Sequence, residues 1–130
     1  MLTQAGELLW QRDLAETCYY GAPVYHDQAV FVATAGGSLW KLEAETGRVL
    51  WQALISGPSY ATPLVADGRV YLGDNSGTMQ VFGVDSGELL ARYHGEREWQ
   101  GTPVLRDGRL LLGSRDHKVH AFTLLETVGP

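Results

Sequence analysis

Apolar and polar positions alternate along this chain in short runs, and the same runs return every 40 residues. The stretch "ATPLVADGRVYLGDNSGTMQVF", residues 61–82, has close counterparts at residues 21–42 and 101–122. Self-similarity at a fixed period is the mark of a repeat architecture, so the sequence predicts three related units. The aligned positions include Pro23, Pro63 and Pro103, and also Asp27, Asp67 and Asp107.

Each unit predicts short strands separated by turns. In the second unit, "TPLVA" opens with a proline where no ladder N–H is needed, and the "DG" that follows is a two-residue hairpin signal. The runs "RVYLGD", "TMQVFG" and "ELLARY" then follow, separated by the turns "NSG" and "DSG". The first unit repeats this pattern with "APVYH", "AVFVAT", "SLWKLE" and "RVLWQA", and the third with "TPVLR", "RLLLGS" and "KVHAFT". These runs are too short and too rich in Gly, Pro and β-branched residues for a helical array.

The second strand of each unit is apolar on both sides, as at Val70, Tyr71 and Leu72. A strand buried on both faces belongs to a sheet packed between two others, which is the arrangement of blades in a β-propeller. We therefore predict an all-β chain of β-propeller blades, each of four antiparallel strands, in three repeats of about 40 residues. Residues 1–130 form a single β-propeller segment in this prediction, with repeat units at about 6–46, 47–86 and 87–126.

The link between units carries a family signature. "ETGRVLW" places Thr46 and Gly47 before Trp51, and this resembles the docking motif Ala-x-Asp-x-x-Thr-Gly-x-x-x-Trp of the quinoprotein-like, or PQQ-like repeat, β-propeller family. Lys41 and Glu43 stand where that motif has alanine and aspartate. No Trp-Asp dipeptide occurs, which favours this family over WD40 repeats of the same period. In style the chain is similar to the propeller of the outer-membrane barrel-assembly lipoprotein.

The resemblance implies that the tryptophan of one unit packs across to the neighbouring blade. It marks Trp10, Gly47, Trp51 and Gly87 as structural docking residues. Ala91 stands where the next tryptophan would be. In such families relatives are often periplasmic and scaffold other proteins, and similar repeats are attached to larger enzymes as sensor or docking domains.

Three blades do not close a ring, because known propellers have at least four. The chain as given starts within the predicted outermost strand of a blade, "GELLWQ", and stops just after a third strand, "KVHAFT". Two explanations stay open. Either the chain is a fragment of a seven- or eight-bladed propeller, or copies complete one another by oligomerisation, with two chains supplying six blades.

One end of the predicted blades is the candidate binding face. In an antiparallel meander, the links between units share an end with the "AGG", "NSG" and "RDH" turns, while the "DG" and "TG" turns share the other. Aromatic and charged residues concentrate at the first end, as interaction surfaces favour. An alternative is that the tyrosines simply pack where strands begin and that "NSG" is a tight hairpin turn. The predicted face comprises Tyr19, Tyr20, Tyr60, Asp74, Asn75, Arg97, Trp99, Arg115, Asp116 and His117.

Charge and cysteine content narrow the function classes. The formal net charge of −5, from 15 acidic and 10 basic residues, argues against nucleic acid as a partner. The single cysteine, Cys18, excludes an intrachain disulfide. The chain as given shows no signal peptide and no apolar run long enough for membrane insertion, and the compartment is left open. His117 and His120 fall on opposite faces of a strand, which disfavours a shared metal ion.

We therefore expect a non-catalytic scaffold that binds a protein partner, with no cofactor and no enzymatic activity. One alternative is a fragment of a pyrroloquinoline-quinone-dependent dehydrogenase, which would use Asp74, Asn75 or Asp116 to contact calcium or the quinone. The resemblance implies that such enzymes draw this site, and an adjacent-cysteine disulfide, from many blades. Another alternative is a sensor or docking propeller attached to a larger enzyme. A third is a minimal repeat unit that assembles into a ring without any ligand.

Overall fold

A computed structural model describes residues 8–14, 22–59, 61–94, 103–107, 109–113 and 119–123, with side chains excepted at 112, 113, 120, 122 and 123. Within these ranges the chain forms eleven β-strands and no helix. The strands are β1 (Val24–His26), β2 (Ala29–Ala33), β3 (Ser38–Glu43), β4 (Val49–Leu54), β5 (Leu64–Ala66), β6 (Arg69–Gly73), β7 (Thr78–Gly83), β8 (Leu89–His94), β9 (Val104–Arg106), β10 (Arg109–Gly113) and β11 (Val119–Thr123).

The strands form three antiparallel meanders that follow the chain order. Strands β1–β4 make the first sheet, β5–β8 the second, and β9–β11 the third. The all-β prediction with four-stranded sheets is confirmed, and the chain forms blades of a partial propeller. Each predicted run coincides with a strand to within one or two residues at its ends. The prolines precede the first strand of each sheet, which begins at Val24, Leu64 or Val104.

Tight turns join the first two strands of each sheet. In the second sheet Asp67 has a φ of 51° and Gly68 a φ of 73°. Positive φ at both central residues defines the type I′ turn, whose twist matches that of the strands. Asp27 and Gln28 repeat it in the first sheet, with φ values of 50° and 65°. The "DQ" and "DG" hairpin predictions are therefore confirmed in these two sheets.

Alternate residues of β6 enter two different apolar cores. Val70 and Leu72 lie in a cluster with Phe31 of the first sheet, whereas Tyr71 lies in a second cluster with Leu110 of the third. All five side chains are at most 1% exposed. The period of two along a strand produces this separation, so the second sheet is packed between the first and the third. The prediction of a strand buried on both faces is confirmed for β6.

The first sheet is packed on one face. In β2, Phe31 and Ala33 are buried against the second sheet, while Val30 and Val32 are half-buried. The prediction that this strand is also buried on both faces is therefore only partly correct. The opposite face of the sheet has no further sheet against it among the described residues.

The sequence predicts an outermost strand in "GELLWQ", residues 6–11, but the described residues of this segment, 8–11, and residues 12–14 after them are not in a strand. A strand is defined by ladder hydrogen bonds to a neighbour, and no described strand pairs with this segment. The segment is instead held against the first sheet by side chains, as described below.

Candidate functional site

A tryptophan of the first sheet is docked on the second sheet. The Trp51 ring lies against Gly87, where an added Cβ would fall 2.7 Å from ring atoms. The indole Nε1 donates a 2.8 Å hydrogen bond to the carbonyl oxygen of Val84. Gly87 also has a φ of +75°, a conformation that favours glycine. The glycine thus permits both the turn and the close approach of the ring.

The same arrangement occurs one repeat earlier. Trp10 packs on Gly47, which has a φ of +76°, and its Nε1 donates to the Ala44 carbonyl at 2.9 Å. Arg12 Nε adds a 2.9 Å hydrogen bond to the Gly47 carbonyl. Residues 8–14 therefore lie on the first sheet in the position that β4 takes on the second. The four residues marked as docking positions meet in these two contacts.

Lys41 takes part in the docking of Trp51 on the second sheet. In the sequence, Lys41 stood out only as a departure from the docking motif. Its Nζ donates to the Val84 carbonyl at 3.0 Å and lies 5.8 Å from the centroid of the Phe31 ring. One carbonyl thus accepts from both Trp51 and Lys41. The signal that could have indicated this is parity, because Lys41 shares the strand face of Leu39, which packs toward the second sheet.

Asp74 was predicted on the binding face, but its side chain is buried, with 1% exposure. Oδ1 accepts hydrogen bonds from the Ser76 N–H at 2.8 Å, the Ser76 hydroxyl at 2.6 Å and the Thr78 N–H at 3.3 Å. Oδ2 accepts from the Gly57 N–H at 3.1 Å. The carboxylate therefore closes its own turn and ties that turn to the link between sheets.

The link of residues 55–59 lies against the β6–β7 turn. The Asn75 N–H donates to the Pro58 carbonyl at 2.9 Å, and the Ser59 hydroxyl donates to the Gly73 carbonyl at 2.8 Å. This link and the "NSG" turn thus share one end of the blade, as predicted. Asn75 is half-buried, and its Oδ1 has no hydrogen-bond partner in the described part of the chain.

The remaining predicted face residues lie outside the described ranges, so their grouping stays a prediction. They are Tyr19, Tyr20, Tyr60, Arg97, Trp99, Arg115, Asp116 and His117.

The outer strands carry exposed apolar side chains that sequence reasoning did not single out. Leu54 at the end of β4 is 78% exposed, and Val49, Leu50 and Leu89 are exposed as well. We call β4 and β8 with these side chains the rim. The signal in the sequence was that "RVLWQA" has apolar residues on both faces. Among the described residues, only one face of this strand packs against another sheet, so the apolar residues of the other face are exposed.

An apolar groove lies beside the first sheet, between that sheet and residues 8–14. Its volume is about 760 Å³. Tyr25 is 65% exposed and Leu9 is 51% exposed along it. We call this the blade-1 groove, and it is lined by Leu9, Trp10, Tyr25, Val30, Ala44 and Glu45.

The described residues do not fit the calcium site of a quinone enzyme. No three His, Cys, Asp or Glu side chains among them come close enough to hold a metal ion. Asp74, one of the three residues named for that role, is engaged by four hydrogen bonds within the chain, and Asp116 lies outside the described residues. Within the same ranges, no helix has the length and apolar character needed to cross a membrane.

Sheets stacked face to face, with a tryptophan docked on the glycine of the next repeat, define a quinoprotein-type β-propeller protein. The family model for outer membrane protein assembly factor BamB matches residues 1–126. The chain therefore belongs to the BamB family. No curated protein matches the chain in a sequence search.

Two solved structures show the same architecture. BamB from Moraxella catarrhalis aligns over 91% of this chain with a TM-score of 0.80 and 23% identity, and the chain spans 37% of the length of that protein. A europium-containing methanol dehydrogenase aligns over 58% of this chain and 15% of its own length, with a TM-score of 0.53 and 20% identity. At these identities the likeness concerns the fold alone.

Proposed function

We propose that this chain is a non-catalytic scaffold that binds a protein partner along its rim. The observation that carries the proposal is the exposed apolar surface of β4, above all Leu54. Membership of the family named for outer membrane protein assembly supports it, because an assembly factor has proteins as its partners.

The rim offers two kinds of contact together. Strands β4 and β8 are the last strands of their sheets, so within the described residues their outer backbone groups have no neighbouring strand. An extended segment can add to such an edge, with main-chain hydrogen bonds for affinity and side-chain contacts for specificity. Val49, Leu50 and Leu54 on β4 supply apolar contacts of that kind, and Leu89 on β8 supplies another.

The chemistry of the site supports a binding role over a catalytic one. Asp74 is buried and fully engaged in holding the β6–β7 turn. The likeness to methanol dehydrogenase is a likeness of fold and adds no functional residue. We therefore assign no reaction to this chain.

Fluorescence anisotropy with a labelled strand-forming peptide tests this function. The probe is a short peptide of alternating valine and threonine, and its control has proline at every second position and cannot pair with an edge. We expect saturable binding of the first peptide only. Equal binding of both peptides would contradict recognition at a strand edge.

Two lysine substitutions locate the contact. Leu54→Lys should weaken binding roughly tenfold, since it removes an apolar contact of about 1–2 kcal/mol. Gly36→Lys adds the same charge at an exposed turn, where Ser76 occupies the equivalent place in the second sheet. Loss of binding with Gly36→Lys but not with Leu54→Lys would place the partner at the end of the blades that holds the "AGG" turn. That result would refute binding along the rim.

A further inference from the structure

The blade-1 groove is the equivalent, one repeat earlier, of the surface on the second sheet that packs against the first sheet. By the 40-residue repeat, Tyr25, Val30 and Ala44 correspond to Val65, Val70 and Val84 of the second sheet. Those three residues pack against the first sheet. The groove therefore lies on the face of the first sheet that corresponds to the face of the second sheet covered by the first.

One part of the covering blade is already in place. Trp10 sits on Gly47 as Trp51 sits on Gly87, and Trp51 belongs to the fourth strand of the covering sheet. Residues 8–14 thus occupy the site of a fourth strand, without strand neighbours among the described residues. Leu8 and Leu9 remain exposed beside the groove.

The third sheet exposes apolar side chains that match the apolar lining of the blade-1 groove. It contains β9, β10 and β11, and the part of the chain that is described supplies no fourth strand after β11. Val104 is 55% exposed and Val119 is 78% exposed, and Ala121 is exposed as well. Their equivalents in the second sheet, Leu64, Met79 and Val81, lie in the core that faces the third sheet. The third sheet therefore presents an apolar face of the type that covers a following blade.

The open edge of β11 is also suited to receive a strand. Arg106 and Arg109 flank a two-residue turn and exchange hydrogen bonds, so alternation directs the backbone groups of Leu110 and Leu112 toward β11. The partners of these two residues on β11 are residues 122 and 120. The backbone groups of residues 119, 121 and 123 then point to the open edge.

We propose that the blade-1 groove receives the third sheet of a second copy of this chain, and that β11 of that copy pairs with residues 8–14. The register follows from β3 and β4, where Trp40 is opposite Gln52 and Lys41 is opposite Trp51. Transferred by the repeat, His120 of one copy lies opposite Gln11 of the other. Two copies exchange the same contact twice, so that the three described sheets of each copy join in one ring of six blades, within the range of known propellers.

Mass in solution is the first test. Light scattering on a size-exclusion column should give twice the 14.2 kDa of one chain. Val119→Glu places a charge on the proposed contact and should raise the dissociation constant at least tenfold. Val49→Glu places it on an exposed rim position and should leave the mass unchanged. A monomer at every concentration, or equal effects of the two substitutions, would overturn the proposal.

Disulfide trapping tests the register. In a Cys18→Ser background, Gln11→Cys with His120→Cys puts the two thiols directly opposite each other across the junction, at a spacing that a disulfide spans. A covalent dimer is expected under mild oxidation. The control, Gln11→Cys with Ala121→Cys, has the same thiol count but directs the side chains to opposite faces. Equal trapping in both variants, or a ladder of longer species, would overturn the closed pair.

Discussion

At the residue scale, three hairpin turns show how a backbone conformation selects its amino acids. Asp27, Asp67 and Asp107 all have φ near +50°. Aspartate tolerates this left-handed region better than most residues. The second turn position is glycine at Gly68 but glutamine at Gln28, and both have φ above +60°. Gln28 is therefore the strained member of an otherwise regular set.

Replacing Gln28 by glycine should stabilise the chain. The substitution removes a left-handed penalty of roughly 1–2 kcal/mol, while the added freedom of the unfolded chain costs roughly 0.5–1 kcal/mol. We expect the free energy of unfolding in urea to rise by about 0.5–1 kcal/mol. The reciprocal change, Gly68→Gln, should lower it by a similar amount, and a fall with Gln28→Gly would disprove the strain.

At the element scale, the tryptophan–glycine contact fixes one sheet on the next. The contact joins a turn of one blade to Trp51 of β4 in one case and to Trp10 of residues 8–14 in the other, with one indole hydrogen bond at each site. Lys41 strengthens the contact between the first and second sheets. Ala91, at the corresponding position of the second sheet, lies in the core toward the third sheet without an indole. The two junctions between sheets are thus built differently.

Two alanine substitutions separate the docking contact from backbone strain. Gly87→Ala and Gly68→Ala both place a Cβ at a φ near +75°, but only the first meets a ring, that of Trp51. Both should lose about 1–2 kcal/mol from strain, and Gly87→Ala should lose a further 1–3 kcal/mol from the clash. Urea unfolding of the two variants measures the difference, and equal losses would show that the ring yields without cost.

Most of the strands and turns could be predicted from the sequence, because each apolar run and each turn motif recurs at the same place in every repeat. One such run alone would have been ambiguous. Alternation and paired turn residues defined the strands. What sequence could not provide is which neighbour covers a side chain. Asp74 stands in a turn that commonly faces solvent, yet the link at Gly57 covers it. Residues 8–14 have the composition of a strand, but a strand also requires a partner to pair with.

At the scale of the whole molecule, the three sheets differ in burial although their sequences are similar. Strand β6 is buried along nearly its whole length, whereas β2 is buried only at alternate residues. In stacked repeats each unit contacts only its neighbours, so local stability follows the number of covered faces. The second sheet is accordingly the centre of stability in this chain.

Hydrogen exchange followed by mass spectrometry should show this order. Backbone amides of β6 and β7 should exchange slowest, because opening them disrupts two cores at once. Protection of β2 should fall on dilution if a second copy covers the blade-1 groove, while protection of β6 should not. Strand β2 exchanging as slowly as β6 at every dilution would contradict the gradient.

Because the side chains of β6 alternate between two cores, the chain is sensitive to whether an insertion or deletion in this strand has an odd or an even number of residues. Val70 and Leu72 serve one interface, and Tyr71 between them serves the other. Inserting or deleting one residue within this strand would exchange the two sets of side chains, so that both junctions fail together. A change of two residues would keep each set on its own side. Over evolution, such blades can therefore change length within their strands only by even steps.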